Sequence, residues 1–283
     1  MVRIEVPRGV VREVFRTGVC LAASCFFMLV SPVLGFSAQP TPQQMVRLSI
    51  ASTEADWKAT PHFSYTERVA DVKGGITTSK TYRVCMIDGS PYSRLIAIGD
   101  EPPSAAQEAW ESENFRREIA KRANESSRER TKRLAEYQKN RGRMFALVQE
   151  MAEAFDFRLV GEQKLDNYDV DVFEASPRPG YQPKSRETKV LTGMKGTLWI
   201  DKETYQWVRV EADAIKPVWM GWFIAEISPG TRFLLEQAPV TKKFWLPEHF
   251  SIEVKARVLW LKKSYSHDET YRDYRSLPGF SIP

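Results

Sequence analysis

The chain has 283 residues, of which 42% are apolar and 12% aromatic, enough for a core and too much for a wholly disordered protein. Three cysteines exclude a disulfide-dense scaffold and a four-thiolate metal site, and three scattered histidines bring no HExxH or Cys/His cluster. A formal charge of +5 is modest at this length and does not by itself point to nucleic acid.

The first predicted element is an export signal over residues 1–38. Arg3, Arg8, Arg12 and Arg16 stand against Glu5 and Glu13, and Thr17 to Ala38 is one uncharged apolar run, interrupted by Pro32 and ending in small residues. Cleavage is expected near residues 35–38, with a mature start between Phe36 and Gln39. The alternative is an uncleaved N-terminal anchor in the inner membrane, since the run can just reach across a bilayer. Residues 39–283 would then be one domain working in the periplasm or associated with the outer membrane. Cys20 and Cys25 lie inside the apolar run, and Cys85 stays alone as a small side chain in a strand.

A short helix is expected over residues 41–57, with Met45, Leu48 and Trp57 as its apolar contacts. Three strands follow as an antiparallel meander: HFSYTERVADV, TSKTYRVCMI and YSRLIAIG, the last two joined by a turn at Asp88-Gly89-Ser90-Pro91. Between them no stretch is long enough for a parallel crossover. The period then changes. From Ser104 to about Ala154 the chain has no proline, a single glycine (Gly142), and many good helix formers. This predicts a long charged helical insertion over 104–155, a break near Asn140-Arg141-Gly142, and a shorter helix whose Leu147, Val148 and Met151 pack on strands.

After Phe157 the pattern is strand again, in eight segments from FRLVGEQ to KSYSHDETYRDY, separated mostly by Gly, Asp, Asn and Pro turns. The expected fold class is α+β: a single large curved antiparallel sheet, an unclosed half-barrel of about nine to eleven strands that cradles helices. The order of elements resembles the bacterial outer-membrane lipoprotein carrier and receptor superfamily (LolA/LolB-like). Three stretches carry the resemblance: Tyr82-Arg83-Val84-Cys85-Met86-Ile87-Asp88-Gly89; Gly196-Thr197-Leu198-Trp199-Ile200-Asp201 with Tyr205 to Glu211; and Phe244-Trp245-Leu246-Pro247. It implies an unclosed barrel wrapped over an apolar cavity that takes acyl chains, and no catalytic residue.

The late strands concentrate aromatic side chains. Trp199, Trp207, Trp219, Met220, Phe223, Phe233 and Trp245 are the candidates for lining such a cavity, because ligand sites are mostly apolar with few polar groups. The alternative is plain core filling beneath a large sheet. Strand alternation forbids all of them from sharing one face. On the charged helix, Arg116, Arg117, Lys121 and Arg122 are candidates for anionic headgroups or a protein partner, while the intermixed glutamates fit a solvated face held by pairs three or four apart. There is no glycine-rich phosphate loop, GxSxG elbow or metal motif, so neither catalysis, a metal nor a cofactor is expected. His267 lies in the run Ser266-His267-Asp268-Glu269 with acidic neighbours, but adjacent strand residues point to opposite faces, so the run is not expected to assemble a site by itself. The sequence thus supports an exported carrier or sensor for a lipid, a lipoprotein acyl chain or another apolar ligand. An envelope scaffold with a packed core, binding a protein partner through residues 104–143, is the rival. Peripheral membrane contact is open to either; nucleic acid is not expected.

Overall fold

The computed structural model describes residues 40–220, 225–258 and 261–278. The signal-peptide expectation, Phe223, Trp222 and Trp260 lie outside the described residues. Helix α1 (Pro42–Ala59) starts with a capping box: the Gln44 backbone N–H donates to the Thr41 hydroxyl, and the Thr41 N–H to the Gln44 side chain. Pro42 opens the first turn, where its missing N–H costs nothing. Its buried stripe, Val46-Ser49-Thr53-Asp56-Ala59, follows three- and four-residue spacing. Met45 packs partly on the core and Trp57 stacks on Phe145 at 4.7 Å, but Leu48 points to solvent. Among the described residues no helix is long and apolar enough to cross a membrane.

Strands β1 (Phe63–Lys73), β2 (Ile76–Ile87) and β3 (Ser90–Ile98) form the expected meander. Gly74-Gly75 and Asp88-Gly89 turn it with positive φ at both central positions, the geometry that matches the twist of paired strands. Two long helices follow, α2 (Ala105–Ala123) and α3 (Ser127–Ala154). The expected break at Asn140-Arg141-Gly142 is absent, and α3 runs through it. The break falls instead at Asn124–Ser126, where Ser126 and Glu129 form a second capping box. A lone glycine costs a helix only about 1 kcal/mol. Arg141 fixes the same turn, its guanidinium lying 4.1 Å from the Trp57 ring centroid and bonding to the Trp57 carbonyl.

The remaining strands are β4 (Phe155–Leu165), β5 (Tyr168–Pro177), β6 (Met194–Asp201), β7 (Trp207–Ala214), β8 (Val218–Met220), β9 (Ala225–Ile227), β10 (Arg232–Pro239), β11 (Trp245–Val258) and β12 (Leu261–Ser276). Residues Thr188–Gly193, read from the sequence as the start of a strand, are a 3-10 turn. The sheet has twelve strands, one more than the upper expectation, because β8 and β9 form a separate hairpin seated on β11. Its order is β3-β2-β1-β12-β11-β10-β7-β6-β5-β4, every pairing antiparallel. The end strands β3 and β4 do not pair, so the half-barrel stays unclosed.

That order has a topological consequence. The chain leaves one edge of the sheet at β3 and re-enters at the opposite edge at β4, and only α2 and α3 lie between. The helical insertion is therefore the strap across the open side, and α3 touches β3, β4, α1 and the Thr188–Gly193 turn along its way. The largest core cluster sits beneath α1 and the C-terminal half of α3. It joins Val46 and Ala154 to Phe173, Leu198, Ile200, Trp207 and Val210 of the sheet.

Candidate functional site

Packing between the helices and the inner face of the sheet is incomplete. It leaves a cavity of about 650 Å³, walled by Trp57 of α1, Phe145, Leu147, Val148 and Met151 of α3, and the inward side chains of β5, β6, β7, β10 and β11. The size falls within the range of small-molecule sites. Leu147, Val148 and Met151, expected to pack on strands, are half-buried: one side meets the core and the other faces the cavity.

Two bulges decide which sheet residues face inward. Trp199 pairs with Arg209 but Ile200 with Trp207, so Val208 is the extra residue, and Trp207 and Val210 both point in although three apart. Likewise Glu236 pairs with His249 but Gln237 with Pro247, so Glu248 is extra, and Pro247 and Phe250 both line the cavity. Trp207 is 2% exposed and donates its indole N–H to the Ser49 hydroxyl at 2.8 Å, which fixes α1 over this part of the sheet.

Of the expected lining residues, Trp207 and Phe233 belong to the cavity; Trp245 borders it, but its side chain packs with Val170, Val172 and Val208 on the other face of the sheet. Trp199 does not line the cavity: it lies on the opposite face of β6, packed against Val170, Val172 and Val208, with Arg209 over its ring at 5.7 Å. Trp219 is 40% exposed and also lies outside the lining. Met220 is described only as the end of β8, and Phe223 is outside the described residues. The residues that alternation alone did not single out are Leu198, Val210, Leu235, Phe250 and Ile252, all apolar and all inward by register.

The four basic candidates on α2 separate. Arg116, Arg117 and Lys121 are exposed and paired within the helix to Glu113, Asn114 and Glu118. Arg122 must be removed from the set of surface contacts. It is buried, and its guanidinium donates to the carbonyls of Ile87 at 2.7 Å, Ser90 at 2.8 Å and Pro91 at 3.2 Å. Arg133 of α3 donates to the Ser90 hydroxyl at 2.6 Å, so two arginines clamp the helical strap to the β2–β3 turn.

Few polar groups interrupt the cavity wall. Asp56 of α1 is 2% exposed; one carboxylate oxygen accepts the Trp245 backbone N–H at 3.0 Å, and the other accepts no hydrogen bond. Burial pushes its carboxyl up to about 7, against the lowering influence of the Trp245 N–H and the neighbouring Gln206 amide. Gln237 of β10 is 7% exposed, and its side-chain oxygen likewise has no donor. Elsewhere on the wall stand Glu269 and Tyr271 of β12, the phenol donating to the carboxylate. Glu67 of β1 is held up at about 7 by burial and by Glu269 nearby. His267 bonds both Glu269 and Asp71 at 2.7 Å; burial disfavours its charged form, but the two carboxylates outweigh this and raise its pKa. The adjacent Asp268 bonds instead to His249 of β11 at 2.7 Å, whereas Glu269, two residues on, shares the face of His267 and bonds it, so the Ser266–Glu269 run does bring an acid to its own histidine.

No family model matches the sequence, and no curated protein matches it. Solved structures do. One is a domain described as outer-membrane lipoprotein-sorting from Vibrio parahaemolyticus, 11% identical, covering 84% of this chain and 95% of that one at a TM-score of 0.35. A DUF1329 family protein from Desulfovibrio piger is 14% identical, with 86% and 96% covered at 0.34. A LolA superfamily protein from Nitrosomonas europaea is 12% identical, with 85% and 96% covered at 0.32. These are likenesses of fold alone. The architecture implied by the sequence resemblance, an unclosed barrel wrapped over helices, is the one observed.

Proposed function

We propose that the protein is a non-catalytic carrier or sensor of the bacterial envelope that holds the apolar part of a lipid, a lipoprotein acyl chain or a similar ligand between the sheet and its helices. The observation that carries this reading is the cavity of about 650 Å³ with an almost wholly apolar wall. A core built only for stability closes such space, because each unfilled volume forfeits packing energy. The wall facing it includes residues of α1 and α3, with α1 bonded to the sheet through Ser49 and Asp56.

The rival, a scaffold with a filled interior that binds a partner through α2, is less well supported. Arg116, Arg117 and Lys121 are already paired to acidic neighbours in their own helix, the pattern of a solvated face. Titration of the purified mature protein with a fluorescent long-chain probe separates the two. The carrier binds the probe at about one per chain, and Phe233→Arg, which places a charge on the cavity wall, abolishes binding while the circular dichroism spectrum is kept. A protein that ignores the probe but loses an envelope partner when Arg116, Arg117 and Lys121 are neutralised would be the scaffold.

A further inference from the structure

The unsatisfied polar atoms on the cavity wall are of one kind. Asp56 and Gln237 each present a buried oxygen that accepts no hydrogen bond. They come from different elements, α1 and β10. Both border the same cavity: Gln237 pairs with Pro247 on β11, two residues from Trp245, whose N–H holds Asp56. Buried acceptors without donors are costly to keep. The hydroxyls of Thr53, Thr60 and Thr231 on the same wall donate to backbone carbonyls and leave no proton for either oxygen. Glu269 adds a carboxylate. The one basic residue among the described lining residues is Lys195, whose side chain is exposed. Arg141 is close by on α3, but its guanidinium is stacked on Trp57 and bonded to the Trp57 carbonyl.

We infer that the occupant of the cavity is an amphiphile whose polar group is a hydrogen-bond donor, an N–H or O–H on a long apolar chain, received by Asp56 and Gln237. The inference rests on the carrier reading and narrows it. An acyl carboxylate or a phosphate seated at this point would meet two acceptor oxygens, with no buried lysine or arginine among the described lining residues to answer its charge. An amine, amide or alcohol supplies what both oxygens lack. A wall of this composition selects by leaving the wrong headgroup unpaired, the same device by which buried polar groups reject an analogue that lacks the matching donor.

Three probes of equal chain length test this: dodecylamine, dodecanamide and dodecanoate, each below its micellar concentration, titrated calorimetrically into the mature protein at about pH 8. The amine and the amide are expected to bind at least about tenfold more tightly than the carboxylate, the difference that about 1.4 kcal/mol of pairing produces. In Asp56→Asn and, separately, Gln237→Leu, the preference falls toward unity while binding of the chain persists. Two variants are used so that misfolding of one leaves the test standing. Equal binding of all three probes, a preference unaffected by both substitutions, or selection of the amine without the amide would overturn the inference. The last result would reduce it to simple attraction by the acidic wall. If none of the probes binds, the carrier reading falls and this inference with it.

Discussion

Asp56→Asn isolates the energetic cost of the polar spot in the cavity wall. The Asp56 carboxyl is raised from 3.8 to about 7, chiefly by burial. At 1.36 kcal/mol per unit, a shift of roughly three units withholds about 4 kcal/mol of stability once the group ionises in the folded protein. The sign follows from the folded value lying above the unfolded one. Below about pH 4 both states are protonated and no penalty exists. Between about pH 4 and pH 7 the unfolded chain ionises and the folded one resists, so the penalty grows with pH, and above about pH 7 it is complete. Asparagine keeps an oxygen for the Trp245 N–H and places an amide beside Gln206, whose own buried oxygen lacks a donor. The variant is therefore expected to match the wild type near pH 4 and to exceed it by about 2–4 kcal/mol near pH 8. Urea unfolding followed by tryptophan fluorescence across that range gives the difference directly. A variant less stable than the wild type at every pH, or a gain that does not shrink toward pH 4, would refute the reasoning. A group that destabilises its own fold is the kind that function retains.

Four further outcomes are expected. Phe145→Ala removes the ring that stacks on Trp57 at 4.7 Å and should cost about 3–5 kcal/mol in urea unfolding, with α1 and the end of α3 loosened together. Arg122→Ala strips three β2–β3 turn carbonyls of a charged donor and should cost about 2–4 kcal/mol, with hydrogen exchange rising first in α2 and the β2–β3 turn. Gly196→Ala puts a Cβ 2.6 Å from the Glu211 carbonyl oxygen, backbone that can yield only by distorting the β6–β7 ladder, so a loss of about 1–3 kcal/mol should appear as a lowered thermal midpoint. His249 lies between Glu236 and Asp268, which outweigh its burial and raise its pKa; its contribution is full below the unfolded value and is lost as pH rises through the folded one, so His249→Gln should flatten that part of the stability profile.

The alternation of apolar and polar residues is enough to read the meander, the helical interlude and the long run of strands, because side-chain period differs so sharply between the two structures. Other features depend on signals weaker than periodicity. The helix break lies in the Ser126-x-x-Glu129 capping box, hidden in a uniformly charged stretch, while Gly142, the only glycine there, is the more visible and misleading mark. Lys121 and Arg122 look equivalent in sequence, yet one helical step turns the first to solvent and the second onto the sheet. Trp199 and Trp207 take opposite faces by a pairing between neighbouring strands, which no run of either strand contains. Asp56 does carry a local signal: it occupies the fourth place in the buried stripe from Val46 to Ala59, where an acid is out of place unless it has a task.

The central claim is that the cavity holds an apolar ligand, and its most direct measurement is native mass spectrometry of the protein isolated from its native cells under mild conditions, followed by organic extraction. The account predicts a stoichiometric adduct that extraction releases as a long-chain amphiphile and that Phe233→Arg protein lacks. Bare protein from the same preparation, unaltered in mass after incubation with envelope lipids, would contradict it.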